Sequence, residues 1–193
     1  HWYTALEIEM AKNAVSIQKA RLEAIEYLSG AQNNSTGNFP KAELLLVDPD
    51  QTIITDEEEA IQVLKGSRPN DMIMGRTGVG PHKSDLQAIY EDKLTLAKDC
   101  STGEQKAILI SIILANAKSL AKINHISPIV LLDEVSAHLD KDRQAALYDE
   151  ICELGVQAWM TGTGPELFSE LKNKAQFIEV STIDGISELS ISN

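Results

Sequence analysis

The stretch Pro128-Ile129-Val130-Leu131-Leu132-Asp133-Glu134-Val135-Ser136-Ala137-His138-Leu139-Asp140 constrains this chain more than any other. Four consecutive apolar residues, Ile129 to Leu132, two of them β-branched, read as a strand buried on both faces of a sheet. Two carboxylates, Asp133 and Glu134, follow where such a strand leaves its sheet. Acids in that position are favourable when a cation meets them, and in nucleotide-hydrolysing α/β folds the cation is Mg²⁺ on phosphate. Asp133 is then the metal ligand and Glu134 the group that orients or deprotonates the attacking water. The same residues also fit a strand followed by a solvated acidic turn, and this pattern alone does not separate the two.

A second stretch, Ser101-Thr102-Gly103-Glu104-Gln105-Lys106, opens a long apolar segment from Ala107 to about Lys122. A hydroxyl, a glycine and unpaired amides at a helix N-terminus make an anion site, because both the amides and the helix dipole point at the ligand. Ser101 or Thr102 also serves as an ordinary N-cap. The helix is apolar almost all round from Ala107 to Ala117, which predicts burial against the sheet.

In combination the two are more specific. A helix-opening serine-glycine motif, an apolar helix, a strand ending Asp-Glu, and then Ser136-x-x-Leu139-Asp140 resemble the signature, Walker B and D-loop of ABC-type ATPases, in that order. A third segment, Gly80-Pro81-His82-Lys83-Ser84-Asp85-Leu86, resembles the Gly-Pro-His-(Arg/Lys)-x-Asp-Leu stretch of the RecF family of bacterial recombination-repair ATPases, relatives of SMC proteins. The resemblance covers roughly the C-terminal two thirds of the chain. It implies an α/β fold, the C-terminal part of an ABC-type head. Ser101, Thr102, Gly103, Glu104, Gln105, Ser136, Asp140 and Thr161 would then lie at nucleotide, Asp133 at Mg²⁺ and Glu134 at the catalytic centre. Many ABC ATPases carry a histidine where Thr161 stands, and threonine is a weaker acid/base group there.

Gly75-Arg76-Thr77-Gly78-Val79-Gly80 satisfies the glycine spacing of a phosphate loop but not its chemistry. Such a loop needs Lys and Ser/Thr directly after the second glycine. Pro81 occupies that place and has no N–H to give. No other stretch is a Walker A motif. The resemblance places that motif nearer the N-terminus of the intact protein, so the chain is expected to be a C-terminal fragment that neither binds nor hydrolyses ATP usefully alone.

The N-terminal third carries an amphipathic pattern from Leu6 to about Ser29-Gly30, with Met10, Ile17 and Leu28 on one side and Lys12, Lys19, Arg21 and Glu23 on the other. A helix of that length spans on the order of 40 Å. It fits equally a helix packed on its own domain and, through the resemblance, the arm of a second lobe. Residues 1–74 are accordingly assigned to arm and second lobe, and 75–193 to the head. Strands are expected over Ala42–Val47 and Met72–Met74, and a short helix from the Thr55-Asp56-Glu57-Glu58 capping box to near Gly66. Arg68-Pro69-Asn70 reads as a turn. Leu86–Tyr90 and Lys93–Ala97 read as a hairpin, and Lys141–Leu154 as a helix capped by Asp140 and stopped by Gly155. Val156–Met160 reads as a strand, Gly164-Pro165 as the start of a short helix, and Phe177–Ile183 with Ile186–Ile191 as a hairpin about Asp184-Gly185.

The formal charge of −12 argues against an autonomous DNA-binding surface. Cys100 and Cys152 lack metal-ligand spacing and read as reduced thiols of a cytoplasmic protein. The resemblance implies an ATP-dependent homodimer in which the signature of one subunit completes the other's nucleotide site. It further implies DNA gaps or junctions as substrate, RecR and RecO as partners, and RecA loading as outcome. Two alternatives stand beside it: the head of another ABC or SMC-like ATPase, and a non-enzymatic interaction module that has lost its phosphate loop.

Overall fold

The computed structural model describes residues 2–48, 53–125, 127–135, 139–171, 173–183 and 186–192. These divide into two compact units, residues 1–34 with 41–101 and residues 35–40 with 102–193.

The first unit begins with α1, Trp2–Asn33, which runs three residues past the expected stop at Gly30. Strand β1, Ala42–Val47, pairs antiparallel with β2, Asp85–Tyr90, from Ala42 opposite Tyr90 to Val47 opposite Asp85. A short β3, Thr95–Leu96, pairs back on β2, so the expected hairpin forms with a much shorter second arm. Its remainder, Ala97–Asp99, is a 3-10 turn.

Helix α2, Glu57–Met74, overturns three expectations. It does not end near Gly66, Arg68-Pro69-Asn70 is not a turn, and Met72–Met74 is its last turn rather than a strand. Asp56, not Thr55, is the cap, its side chain accepting from the Glu59 amide at 2.9 Å. An interior proline removes one helical hydrogen bond and crowds the preceding turn, at a cost of about 3 kcal/mol. Contacts made just before Pro69 offset this. Leu64 is buried against α1, the Arg68 guanidinium is paired in both directions with the Glu7 carboxylate of α1, and Ser67 donates to the Leu64 carbonyl at 3.0 Å. The helix stops instead at Gly75, in the left-handed region at φ 66°.

The second unit is built on a parallel pair. Strand β4, Val130–Leu132, leads through α4, Lys141–Leu154, to β5, Ala158–Met160, with Val130 opposite Ala158 and Leu132 opposite Met160. A helical crossover is the standard route between parallel neighbours. Helix α3, Thr102–Asn124, precedes β4. Asp140 caps α4 by accepting from the Arg143 amide at 2.9 Å, and Gly155 ends it, both as expected. A 3-10 segment, Pro165–Leu171, follows β5. The unit closes with the antiparallel hairpin β6, Phe177–Ile183, and β7, Ile186–Ser192, whose expected turn at Asp184-Gly185 lies outside the described residues.

The core of this unit joins Ile110, Leu114 and Ala117 of α3, Val130 and Leu132 of β4, and Leu147, Tyr148 and Ile151 of α4. Two expectations change here. β4 is buried on one face only, because successive strand residues point oppositely: Leu132 is 4% exposed while Leu131 is 73% exposed and Trp159 beside it 53%. Helix α3 likewise buries the 107, 110, 114, 117 stripe and exposes Leu109 and Ile113. Among the described residues no helix is long and apolar enough to cross a membrane.

Candidate functional site

Asp133 and Glu134 follow β4 directly, and Thr161 follows β5 directly. Parallel pairing therefore delivers all three to the carboxyl end of the same two strands, where ligands of open α/β sheets bind. The pairing continues past the strands, with the Thr161 amide donating to the Leu132 carbonyl at 3.0 Å. From that position the Thr161 hydroxyl works in both directions. It donates to Asp133 Oδ1 and accepts from the Glu134 backbone amide at 3.0 Å.

Glu134 has φ 50°, in the left-handed region, which is unfavourable for a residue with a Cβ. Such backbone persists only where surrounding contacts hold it, at a cost of about 1–3 kcal/mol. The Thr161 bond to its amide is one such contact. The side chains of Asp133, Glu134 and Thr161 all belong to exposed residues, open to a ligand from solvent.

Among the described residues no group of three or more His, Cys, Asp or Glu could hold a metal ion as a protein cage. Mg²⁺ does not need one, because it commonly takes one or two carboxylates together with water and substrate phosphates. The exposed pair Asp133 and Glu134 fits that lesser role.

The remaining candidates form a second group. Ser101 is exposed and immediately precedes α3, while Thr102, Gly103, Glu104 and Gln105 form its first turn. Thr102 and Gln105 are exposed and Gly103 is half-buried. Glu104 turns inward. Its carboxylate is paired at 3.7 Å with Arg143 of α4, whose guanidinium also pairs with Asp140 at 3.1 Å. Ser136, expected in the D-loop, lies outside the described residues. Sequence reasoning passed over Arg143. Its signal was the Asp140-x-x-Arg143 spacing at a helix start, which puts the two side chains on neighbouring positions.

The Gly75–Lys83 stretch leads into strand β2, not into the helix a phosphate loop requires. Gly80, at φ 138°, takes a conformation that side chains rarely adopt, and an added Cβ would stand 3.1 Å from His82 Nδ1. His82 Nε2 lies 3.2 Å from the Thr77 carbonyl, so the ring closes its own loop. Arg21 of α1 donates to the Pro81 carbonyl and, at 2.7 Å, to Ser84 Oγ. The motif is fixed to the long helix.

No family model matches the chain. Individual proteins do. It is 41% identical over 187 residues to the DNA replication and repair protein RecF of Mesorhizobium japonicum, covering 93% of this chain and 49% of that protein. The RecF of Allorhizobium ampelinum is 42% identical over 186 residues, covering 93% and 50%. Among solved structures, the recombination mediator protein RecF with ATP, of the RecFOR pathway, superposes with TM-score 0.70 at 20% identity, over 97% of this chain and 50% of that one. A structure from work on ATP-driven dimerization and DNA-stimulated activation of SMC ATPases gives 0.56 at 15% identity, over 91% and 89%. The structures share the expected α/β fold with this chain. The chain spans about half the length of the curated relatives it matches, and across that half the similarity is to RecF proteins.

Proposed function

We propose that this chain supplies the signature, Walker B and D-loop parts of a RecF-type DNA-repair ATPase, with Asp133 as the magnesium ligand and Glu134 as the base for the attacking water. The observation that carries the reading is the Thr161 hydroxyl placed between the Asp133 carboxylate and the Glu134 amide at the ends of two parallel strands. A solvated acidic turn has no need of that arrangement. Mg²⁺ held there would neutralise charge on the phosphates. Asp133 holds its place, oriented by Thr161, while Glu134 accepts a proton from water and Thr161 fixes the backbone that aims it. Ser101, Thr102, Gly103 and Gln105 present a hydroxyl-rich helix start suited to the γ-phosphate of ATP held by a second copy. Glu104, facing inward, supports that turn from behind.

In this reading the chain is the C-terminal half of a longer protein, and the boundary between arm or second lobe and head falls where the two compact units divide, after Ser101 rather than after Met74. The open sheet face carrying Leu131 and Trp159 suits the half that bears the phosphate loop. The homodimer is ATP-dependent, works in the cytoplasm on DNA gaps and junctions, and acts with RecR and RecO in loading RecA.

A fluorescent ATP analogue with Mg²⁺ tests this, titrated against the chain alone and against the chain mixed with a separately produced phosphate-loop half. Binding is expected only in the mixture. Glu134→Gln should reduce turnover by about 10²–10⁴-fold, the usual contribution of a general base. Tight binding to the chain alone, or undiminished turnover by Glu134→Gln, would overturn the reading.

A further inference from the structure

Arg143 belongs to none of the nucleotide-site motifs, yet it touches two of them. One guanidinium nitrogen, Nη2, lies 3.7 Å from Glu104 Oε1 in the first turn of α3, and the other, Nη1, lies 3.1 Å from Asp140 Oδ2 at the cap of α4. Its own amide donates to Asp140 Oδ1 at 2.9 Å, so backbone and side chain grip the same carboxylate. The Glu104 side chain is 8% exposed. A carboxylate withdrawn from water to that degree is costly unless a cation offsets it, and Arg143 is positioned to do so. The same two helices are joined again farther along, where Lys118 of α3 pairs with Glu150 of α4 and Ser35 also donates to Glu150.

We infer that Arg143 is a positioning residue that holds the first turn of α3 and the first turn of α4 in one fixed relation, so that Thr102–Gln105 and Asp140 are presented as a unit. This rests on the ATPase reading for its consequence, though not for its geometry. A planar fork with two separated donors can address two carboxylates at once, whereas a lysine is a single point charge. Arg143→Lys is therefore expected to keep the charge and lose the link.

The first measurement is amide hydrogen exchange on this chain. Arg143→Gln should speed exchange at the Gln105 and Lys106 amides, the first of α3 with helical partners, and at the amides of positions 143 and 144, which bond Asp140, together, by about tenfold, with the core amides of Leu114 and Leu147 unchanged. Arg143→Lys, which keeps the charge but not the fork, should speed exchange in both turns as well. Faster exchange in only one turn, or none, overturns the inference, as does a rise spread evenly over the whole unit. The second measurement uses the chain paired with the phosphate-loop half. Arg143→Gln should lower kcat about tenfold or more, as small misplacements of catalytic groups do, with KM within about twofold. A raised KM with unchanged kcat would also overturn it. An unsubstituted pair that fails to turn over ATP counts against the ATPase reading alone, because the exchange experiment stands without it.

Discussion

The two compact units are held together by different forces. In the second, among the described residues, twelve buried side chains from α3, β4, α4 and their connections form one apolar cluster. In the first, the corresponding cluster is four, Ala11, Val15, Ala60 and Leu64. Polar links supply much of what this small core cannot: Arg68 to Glu7, Arg21 to Ser84 and the Pro81 carbonyl, and Gln32 Oε1 accepting from the Ala42 amide at 2.9 Å. The candidate catalytic groups stand on the unit whose frame is apolar. Carboxylates that must stay charged and exposed are thereby separated from the forces that keep their supporting strands in place.

The largest effect that would test this contrast is a cavity in the second unit. Leu114 is among its largest fully buried side chains. Leu114→Ala should cost about 2–5 kcal/mol, from lost transfer energy and the void left behind. Urea unfolding followed at Trp159 should show a lower midpoint. A loss below about 1 kcal/mol would mean that the cluster is not one continuous core.

An intermediate effect is expected in the first unit on acidification. Glu7 is 6% exposed, and its carboxyl is held below the ordinary value of 4.5, chiefly by the hydrogen bonds from Arg68, against the opposing effect of burial and with help from the charges of Arg68 and Lys65. Because the folded value is depressed, the link contributes stability above the unfolded value and loses it as pH falls through the folded one. Hydrogen exchange in α1 and α2 should therefore quicken below about pH 4.3. Glu7→Gln should abolish that acid response. An acid response unchanged by Glu7→Gln would place its origin elsewhere.

Legibility in the sequence followed the range of the interactions concerned. Asp140 and Gly155 bounded α4 correctly because a cap and a left-handed stop are local chemistry. Pro69 misled because the contact that carries α2 through it comes from Glu7, 61 positions from its partner Arg68. Asp133, Glu134 and Thr161 were each visible as candidates, but not the bond joining them, which spans 28 positions and exists only once β4 and β5 lie side by side. Thr161 read as a weak substitute for a histidine, since its type was apparent and its partners were not. The burial of β4 and α3 was overestimated for a related reason. Apolar character in a sequence records what a residue prefers, not whether a neighbour is present to cover it.

The smallest expected effect concerns that uncovered face. Leu131 alternates with the buried Val130 and Leu132 and stands 73% exposed, so Leu131→Ser removes little buried apolar area from this chain. Its unfolding free energy should change by no more than about 0.5 kcal/mol, as for surface substitutions generally. If the open face meets the phosphate-loop half, the same substitution should weaken association of the two halves, read as a higher Kd in a titration by fluorescence anisotropy. Unchanged stability with weakened association would separate two roles for one strand, a frame on one side and an interface on the other. Unchanged association would remove this face from the proposed interface. The carboxylates at the end of the strand would keep their assignment, because the Thr161 contacts that support it do not involve the Leu131 side chain.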